Sequence, residues 1–254
     1  MENPNDVYEE FRRLGFRAPE AAMRAVLQQL TKSRASPIET CEALVALERR
    51  EREAKNLKRR TRLATLGNHK MLDAFDWNHP KVIDRGLYEE LHGLDFVEKG
   101  ENALLRGTSG LGKTMLAQNL GLAALTKGHT VLFTTLSWAL ADLLKQESIP
   151  AFERRLRRYL TPELLIIDEI GYVPCDSRSA DLLFNIISRR HEKRSTVITT
   201  NLPFKQWGTV FPGAASVVAL VDRFVQHCHV LDIEGESWRQ KEPATPAKPR
   251  KPKR

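Results

Sequence analysis

Apolar positions in the first ninety residues recur at helical spacing. Val7, Phe11 and Leu14 share one face behind Pro4-Asn5-Asp6 and predict a helix over Val7–Leu14, stopped by Gly15. Pro19 opens a second helix, Glu20–Lys32, with Ala22, Val26, Leu27 and Leu30 near helical period. Ser36-Pro37 begins a third, which runs through Cys41, Leu44, Val45 and Leu47 into a strongly basic stretch. An aromatic connector (Phe75, Trp77, Tyr88) then leads to Gly93. From about Phe96 the pattern changes, and short apolar runs alternate with helical segments. The runs are Asn102–Leu105, Thr130–Thr134, Leu164–Ile167, Thr196–Thr199 and Val230–Ile233. Between them lie helices starting at Lys113 and over Ser137–Gln146, Ser177–Arg194 and Ala214–Gln226. Strands separated by helices pair in parallel through crossovers, so the expected fold is α/β, a parallel sheet covered by helices on both faces.

The chain has 254 residues, and at about 100–200 residues per domain that is one large domain or one domain with an appendage. The pattern divides it into an α-helical N-terminal part with its connector (1–92), an α/β part (93–239) and a tail (240–254). With 41% hydrophobic and 28% charged residues the composition is that of a globular protein. No apolar run approaches the roughly 18 residues of a membrane helix. The N-terminus is acidic where a signal peptide is basic and then apolar, so neither a membrane span nor secretion is expected. Cys41, Cys175 and Cys228 form no CxxC pair. A disulfide framework and a cysteine zinc site are therefore not expected, and a reducing compartment is. His227-Cys228-His229 alternates sides like the start of a strand and is not read as a metal site.

The chemistry concentrates in Gly107-Thr108-Ser109-Gly110-Leu111-Gly112-Lys113-Thr114, which fits GxxxxGK[ST] at every specified position, between a predicted strand and a predicted helix. Its glycines let successive backbone N–H groups turn inward around phosphates, and the helix that follows, through Met115 onward, adds its positive end. Lys113 sets a cation against the β- and γ-phosphates of ATP, and the Thr114 hydroxyl can ligate Mg²⁺. About fifty residues on, the apolar strand Leu164–Ile167 ends in Asp168-Glu169. Asp168 is placed to join the Mg²⁺ shell, and Glu169 to orient or deprotonate an attacking water. A third strand ends at Asn201, at the carboxyl edge where ligands of parallel sheets sit; a strand-end Asn is also a common turn former.

GTSGLGKTMLAQNLG, LLIIDEIGYVP, LLFNIISRRHEKRSTVITTNLPFKQWGTVF and VDRFVQHCHVLDIEGESWR together resemble the IstB-like helper ATPases of bacterial insertion sequences. That family belongs to the AAA+ superfamily and is related to DnaC-type helicase loaders. The resemblance runs from about Phe96 to Arg239, and more weakly through the helical part. Thr108-Ser109 stands where Pro-Pro is commoner in the family, at free positions of the motif. The resemblance implies an AAA+ ATPase core, ATP hydrolysis with Mg²⁺, assembly into a homo-oligomer with nucleotide between subunits, and a bacterial cytoplasmic location. It implies that Asn201 is a polar sensor, that Arg223 reaches a neighbour's nucleotide, and that Arg239 contacts phosphate within its own subunit. Either arginine is otherwise a surface residue of an arginine-rich chain.

Charge favours a polyanionic partner. Lys and Arg number 40 against 32 Asp and Glu, a formal charge of +8. Glu48–Arg62 holds eight basic residues (Arg49, Arg50, Arg52, Lys55, Lys58, Arg59, Arg60 and Arg62) against three acidic ones. On one helix they can neutralise several phosphates of double-stranded DNA; alternatively they form a solvated face with i,i+4 pairs to Glu48, Glu51 and Glu53. Arg154–Arg158, Arg189-Arg190, Lys193-Arg194 and the proline-rich cationic tail are further candidates. Two functions of different class remain: an ATP-dependent transposition helper that assembles on target DNA and recruits or stimulates the element's transposase, and a helicase loader. A small-molecule kinase is disfavoured, since nothing resembles an acceptor pocket.

Overall fold

The computed structural model describes residues 6–171, 176–211 and 215–238. It divides into two compact units, 1–62 and 63–254.

The first unit is helical. α1 (Asp6–Arg13) and α2 (Glu20–Lys32) are followed by α3 (Pro37–Ala64), which runs past the unit's boundary. A capping box starts α3: Glu39 N–H donates to Ser36 Oγ (3.2 Å) and Ser36 N–H to Glu39 Oε2 (2.6 Å). Tyr8, Ala18, Met23 and Leu47 are buried together, with Phe11, Phe16, Val26, Leu27 and Leu44 packed around them. Glu48 is buried as well, and it accepts the N–H groups of Arg17 (2.7 Å) and Ala18 (2.8 Å). Burial alone would raise its pKa, but the hydrogen bonds from Arg52 and these two amides hold it below the usual carboxylate value.

In the second unit a 3-10 turn (Leu72–Ala74) precedes a two-residue strand, β1 (Val82–Ile83), then α4 (Arg85–Gly93), α5 (Asp95–Glu98) and β2 (Asn102–Gly107). α6 (Lys113–Lys127), β3 (Val131–Thr135), α7 (Leu136–Leu144), α8 (Ile149–Leu160) and β4 (Leu164–Ile170) follow. The chain continues through α9 (Ser177–Arg190), β5 (Ser195–Thr200), α10 (Trp207–Val210), α11 (Ser216–Val225) and β6 (Cys228–Glu234). The six strands lie in the order β1-β6-β2-β5-β4-β3, all parallel except the β1 edge. Side chains alternate between the faces. Ile166 and Val131 point to α6, where Gly121 leaves them room. Leu132, Leu165, Ile167 and Ile198 point into the larger core with Leu140, Leu156, Leu183, Trp207 and Phe224. The expected doubly covered sheet is thus present. No helix of the described residues is long and apolar enough to cross a membrane.

Three sequence expectations change. The two-residue β1 lies in the stretch read as helical, too short to give an alternating pattern. α8 is a helix that the strand–helix alternation did not name. The unit boundary falls at Arg62/Leu63 instead of near residue 92, because residues 63–92 belong with α6. Leu66, Tyr88 and Leu91 are buried there, Gln118 Nε2 donates to Leu66 O (2.8 Å), Asn119 Nδ2 to Lys70 O (2.9 Å), and Tyr88 Oη to Leu116 O (3.1 Å). Arg239 and the expected tail lie outside the described residues.

Candidate nucleotide site

β2 is buried from Asn102 to Leu105 and delivers Gly107 to the carboxyl edge of the sheet. The turn to α6 passes through Gly110 and Gly112, both at φ +83, backbone that side chains rarely adopt. Space forbids a Cβ as well: it would stand 2.1 Å from Ser237 Oγ at Gly110 and 2.7 Å from Phe75 Cε2 at Gly112. Lys113, only 5% exposed, turns its ammonium back into the loop and donates to Gly107 O (2.7 Å) and Thr108 O (2.8 Å). The loop is therefore closely packed from outside, with a cation held against its inner carbonyls. That geometry suits an incoming polyphosphate.

The acidic pair arrives from β4. Asp168 is 3% exposed, and both of its carboxylate oxygens face Thr114 Oγ1, at 3.1 and 3.0 Å. A hydroxyl and a carboxylate in contact beside a phosphate loop are hard oxygen donors of the kind Mg²⁺ takes together with substrate phosphates. Glu169 differs in exposure and in backbone. The β4–β5 register slips between Ile167 and Ile170, and Glu169 occupies the irregularity at φ +65, a conformation uncommon outside glycine. Its side chain is consequently exposed while its neighbours are buried.

These elements surround one cavity of about 470 Å³. Gly110–Thr114, Met115, Glu169 and Thr199 line one part, and Asn68, His69, Lys70, Phe75, His79 and Trp238 line another. The second group comes from the connector and from Trp238, neither of which the sequence marks as part of the site. The His79 and Trp238 rings meet edge-on at 4.5 Å, His79 Nε2 lies 2.9 Å from Glu236 O, and Trp238 N–H donates to Gly110 O (3.1 Å). Phe75 rests on Gly112 and on Trp77 (4.8 Å), which meets Tyr88 (5.4 Å). The aromatic spacing of the connector was the available signal for this.

The remaining candidates separate. Thr108 lies in the loop, its hydroxyl 3.3 Å from Gly235 O, and Ser109 and Leu111 complete the turn. Asn201 follows β5 directly, and its Oδ1 is buried without a hydrogen-bond partner among the described residues, beside Gly171. Asn201 is not among the residues lining the cavity; Thr199, two positions earlier and not singled out from sequence, is. Arg223 is exposed on α11, with its guanidinium 5.1 Å over the Phe184 ring.

The basic clusters also divide. Arg52 donates to Glu48 (2.5 Å) and to Gly15 O (3.0 Å), and Lys55 to Arg17 O (2.5 Å). These two fasten the turn before α2 and remain exposed. Arg49, Arg50, Lys58, Arg59 and Arg62 are exposed, and Arg60 is half-buried. Arg155 is bidentate to Asp142 (2.6 and 2.5 Å), and Arg158 stacks over Trp138 at 5.1 Å. Arg190 is buried, donating to Tyr159 O, Pro162 O and Ser195 O; burial pushes its pKa down to about 9. It is a structural fastener and no DNA contact.

The comparisons with known proteins agree with this geometry. An IS21 insertion-sequence protein of Pseudomonas aeruginosa, described as ATP-binding, is 40% identical over 191 residues, 75% of this chain and 72% of its own. An IS232 insertion-sequence protein of Bacillus thuringiensis subsp. berliner, described in the same way, is 36% identical over 205 residues, 81% of this chain and 82% of its own. Among solved structures, a DnaC helicase loader superposes with a TM-score of 0.50 at 22% identity, covering 62% of this chain and 98% of that one. That likeness is one of fold, an α/β sheet, parallel but for its β1 edge, with a phosphate loop after its central strand β2. The sequence profile described as IstB-like ATP binding protein matches residues 10–245, so this chain, with its phosphate loop and acidic pair, belongs to that family of ATP-binding proteins.

Proposed function

We propose that this protein is an ATP-dependent, DNA-binding helper of transposition in the bacterial cytoplasm, which hydrolyses ATP in a homo-oligomer assembled on target DNA and acts on the transposase of its own insertion sequence. The observation that carries the ATPase part is the meeting of Thr114 and Asp168 at 3.0–3.1 Å beside the Lys113 loop, with Glu169 exposed on the same cavity. Family membership supports the role in an insertion sequence. In this reading Gly107–Met115 bind the phosphates, and Lys113 balances their charge. Thr114 and Asp168 hold Mg²⁺, which when bound supplies charge neutralisation at the phosphates. Glu169 takes a proton from the attacking water. Asn201 and Arg239 sense the γ-phosphate within the subunit. The basic test is duplex-DNA binding and ATP hydrolysis by one preparation, with and without nucleotide. A preparation that is active in neither sinks the reading.

Arg223 tests the oligomer. The role in trans is what the family resemblance implies for Arg223, which is exposed on α11 and does not line the cavity. Arg223→Ala should lose hydrolysis but keep nucleotide binding, and hydrolysis per subunit should rise with protein concentration. Mixing inactive Arg223→Ala with inactive Lys113→Ala should restore part of the activity, because one interface then draws its loop and its arginine from different variants. No recovery in mixtures shown to co-assemble argues against an arginine given in trans.

DNA binding is assigned to the basic residues of α3: Arg49, Arg50, Arg52, Lys55, Lys58, Arg59, Arg60 and Arg62. Reversing Arg59, Arg60 and Arg62 to Glu should weaken binding alike on unrelated duplexes. Three lost phosphate contacts should flatten the slope of log affinity against log salt by about 2–3. An unchanged slope moves the DNA surface elsewhere.

A further inference from the structure

We propose that Thr199 is a positioning residue for ATP hydrolysis, its single hydroxyl setting both the orientation of Asp168 and the backbone of Glu169. The proposal rests on the roles given to those two carboxylates above. Thr199 is 1% exposed, on β5 between the phosphate-loop strand β2 and the acidic strand β4. Its Oγ1 donates to Asp168 Oδ1 and accepts the N–H of Glu169 at 3.1 Å. A hydroxyl has one proton to give and lone pairs to receive, so both bonds form at once and each fixes the direction of the other.

The two bonds do different things. The one to Asp168 leaves both carboxylate oxygens facing Thr114 at 3.0–3.1 Å, the arrangement needed to share a cation. Without it the carboxylate could rotate about its last bond away from Thr114. The bond from Glu169 holds a residue at φ +65, where the β4–β5 register slips and an amide would otherwise lose its ladder partner. Such a conformation persists only where its surroundings over-determine it. Shifting that backbone would turn the Glu169 side chain off the cavity that Thr199 also lines. One buried hydroxyl thus couples the metal-binding carboxylate to the proton acceptor.

The test compares Thr199→Val, Thr199→Ala and Thr199→Ser with the unaltered protein and with Glu169→Gln, all as full chains. Two readouts are needed: equilibrium binding of a fluorescent ATP analogue titrated with Mg²⁺, and steady-state hydrolysis. Thr199→Val and Thr199→Ala should bind the analogue in the absence of Mg²⁺ as the unaltered protein does. Partners of metal ligands are typically worth about 10- to 100-fold in metal affinity or activity, and losses of that size are expected in both readouts. Thr199→Ser keeps the hydroxyl and should recover both. A folded Val or Ala variant with an unaltered Mg²⁺ requirement and turnover overturns the proposal. A Ser variant as impaired as Val does too, since methyl packing would then be what matters. If neither Val nor Ala folds, Thr199 is a requirement of the sheet and the proposal is again overturned. Glu169→Gln separates the two levels of the argument. Its full activity would remove the underlying reading, whereas its inactivity beside a normal Thr199→Val removes this inference alone.

Discussion

Replacing Lys113 by alanine should cost the protein its nucleotide affinity by about 100-fold, taking hydrogen bonds to a charged group at about 1.5–3 kcal/mol each and 1.4 kcal/mol per factor of ten. The size follows from where the ammonium sits. It is nearly buried, and its bonds to Gly107 O and Thr108 O place it inside the loop instead of in solvent. Water therefore screens it little from a phosphate entering there. Deleting it also leaves two loop carbonyls without their donor, so the empty variant should be modestly less stable. Equilibrium titration with an ATP analogue, alongside thermal unfolding, separates the two effects. Affinity close to that of the unaltered protein would show that nucleotide is held by something other than this loop.

Glu169→Gln should leave binding intact and slow hydrolysis by about 10²–10⁴-fold, the usual contribution of a positioned acid or base. The substitution keeps size and shape but removes the charge and the proton-accepting oxygen. Glu169 meets Thr199 through its backbone N–H, which Gln retains, and its side chain is exposed, so no buried charge or packing is disturbed. The left-handed backbone at this position is as costly for Gln as for Glu. The variant should fold as the parent does, load ATP and remain in whatever assembly ATP favours on DNA, because ligand that is not consumed keeps its binding state populated. Single-turnover measurements decide the matter. A chemical step at the parent's rate would transfer the water to another residue, with Asp168 excluded by its contacts to Thr114 and Thr199.

What the sequence determined was local, and it determined it well. Helical spacing in Val7–Leu14 and Glu20–Lys32 and the apolar runs of β2 to β6 are short-range patterns, and the elements form within a few residues of where those patterns place them. The phosphate loop was legible because its glycines, Lys113 and Thr114 act through the backbone turn they themselves build. Asp168-Glu169 was legible because an apolar strand ending in carboxylates is itself a local pattern. Tertiary structure decided everything that depends on which segments become neighbours. Strand order and register bring Thr199 to Asp168 across thirty-one positions of sequence, and a threonine inside an apolar strand carries no mark of that meeting. The same holds for the connector, whose Phe75 reads as a linker aromatic and whose His79 carries no mark at all until α6 and the 235–238 segment pack around them. Of the basic residues, sequence could count charge but not its use. Arg155 is paired with a carboxylate and Arg190 is buried against carbonyls brought near by folding, Arg52 and Lys55 are exposed yet bonded to the turn before α2, and Arg49, Arg50, Lys58, Arg59 and Arg62 are exposed on α3, because burial and pairing, not composition, decide how each charge is used.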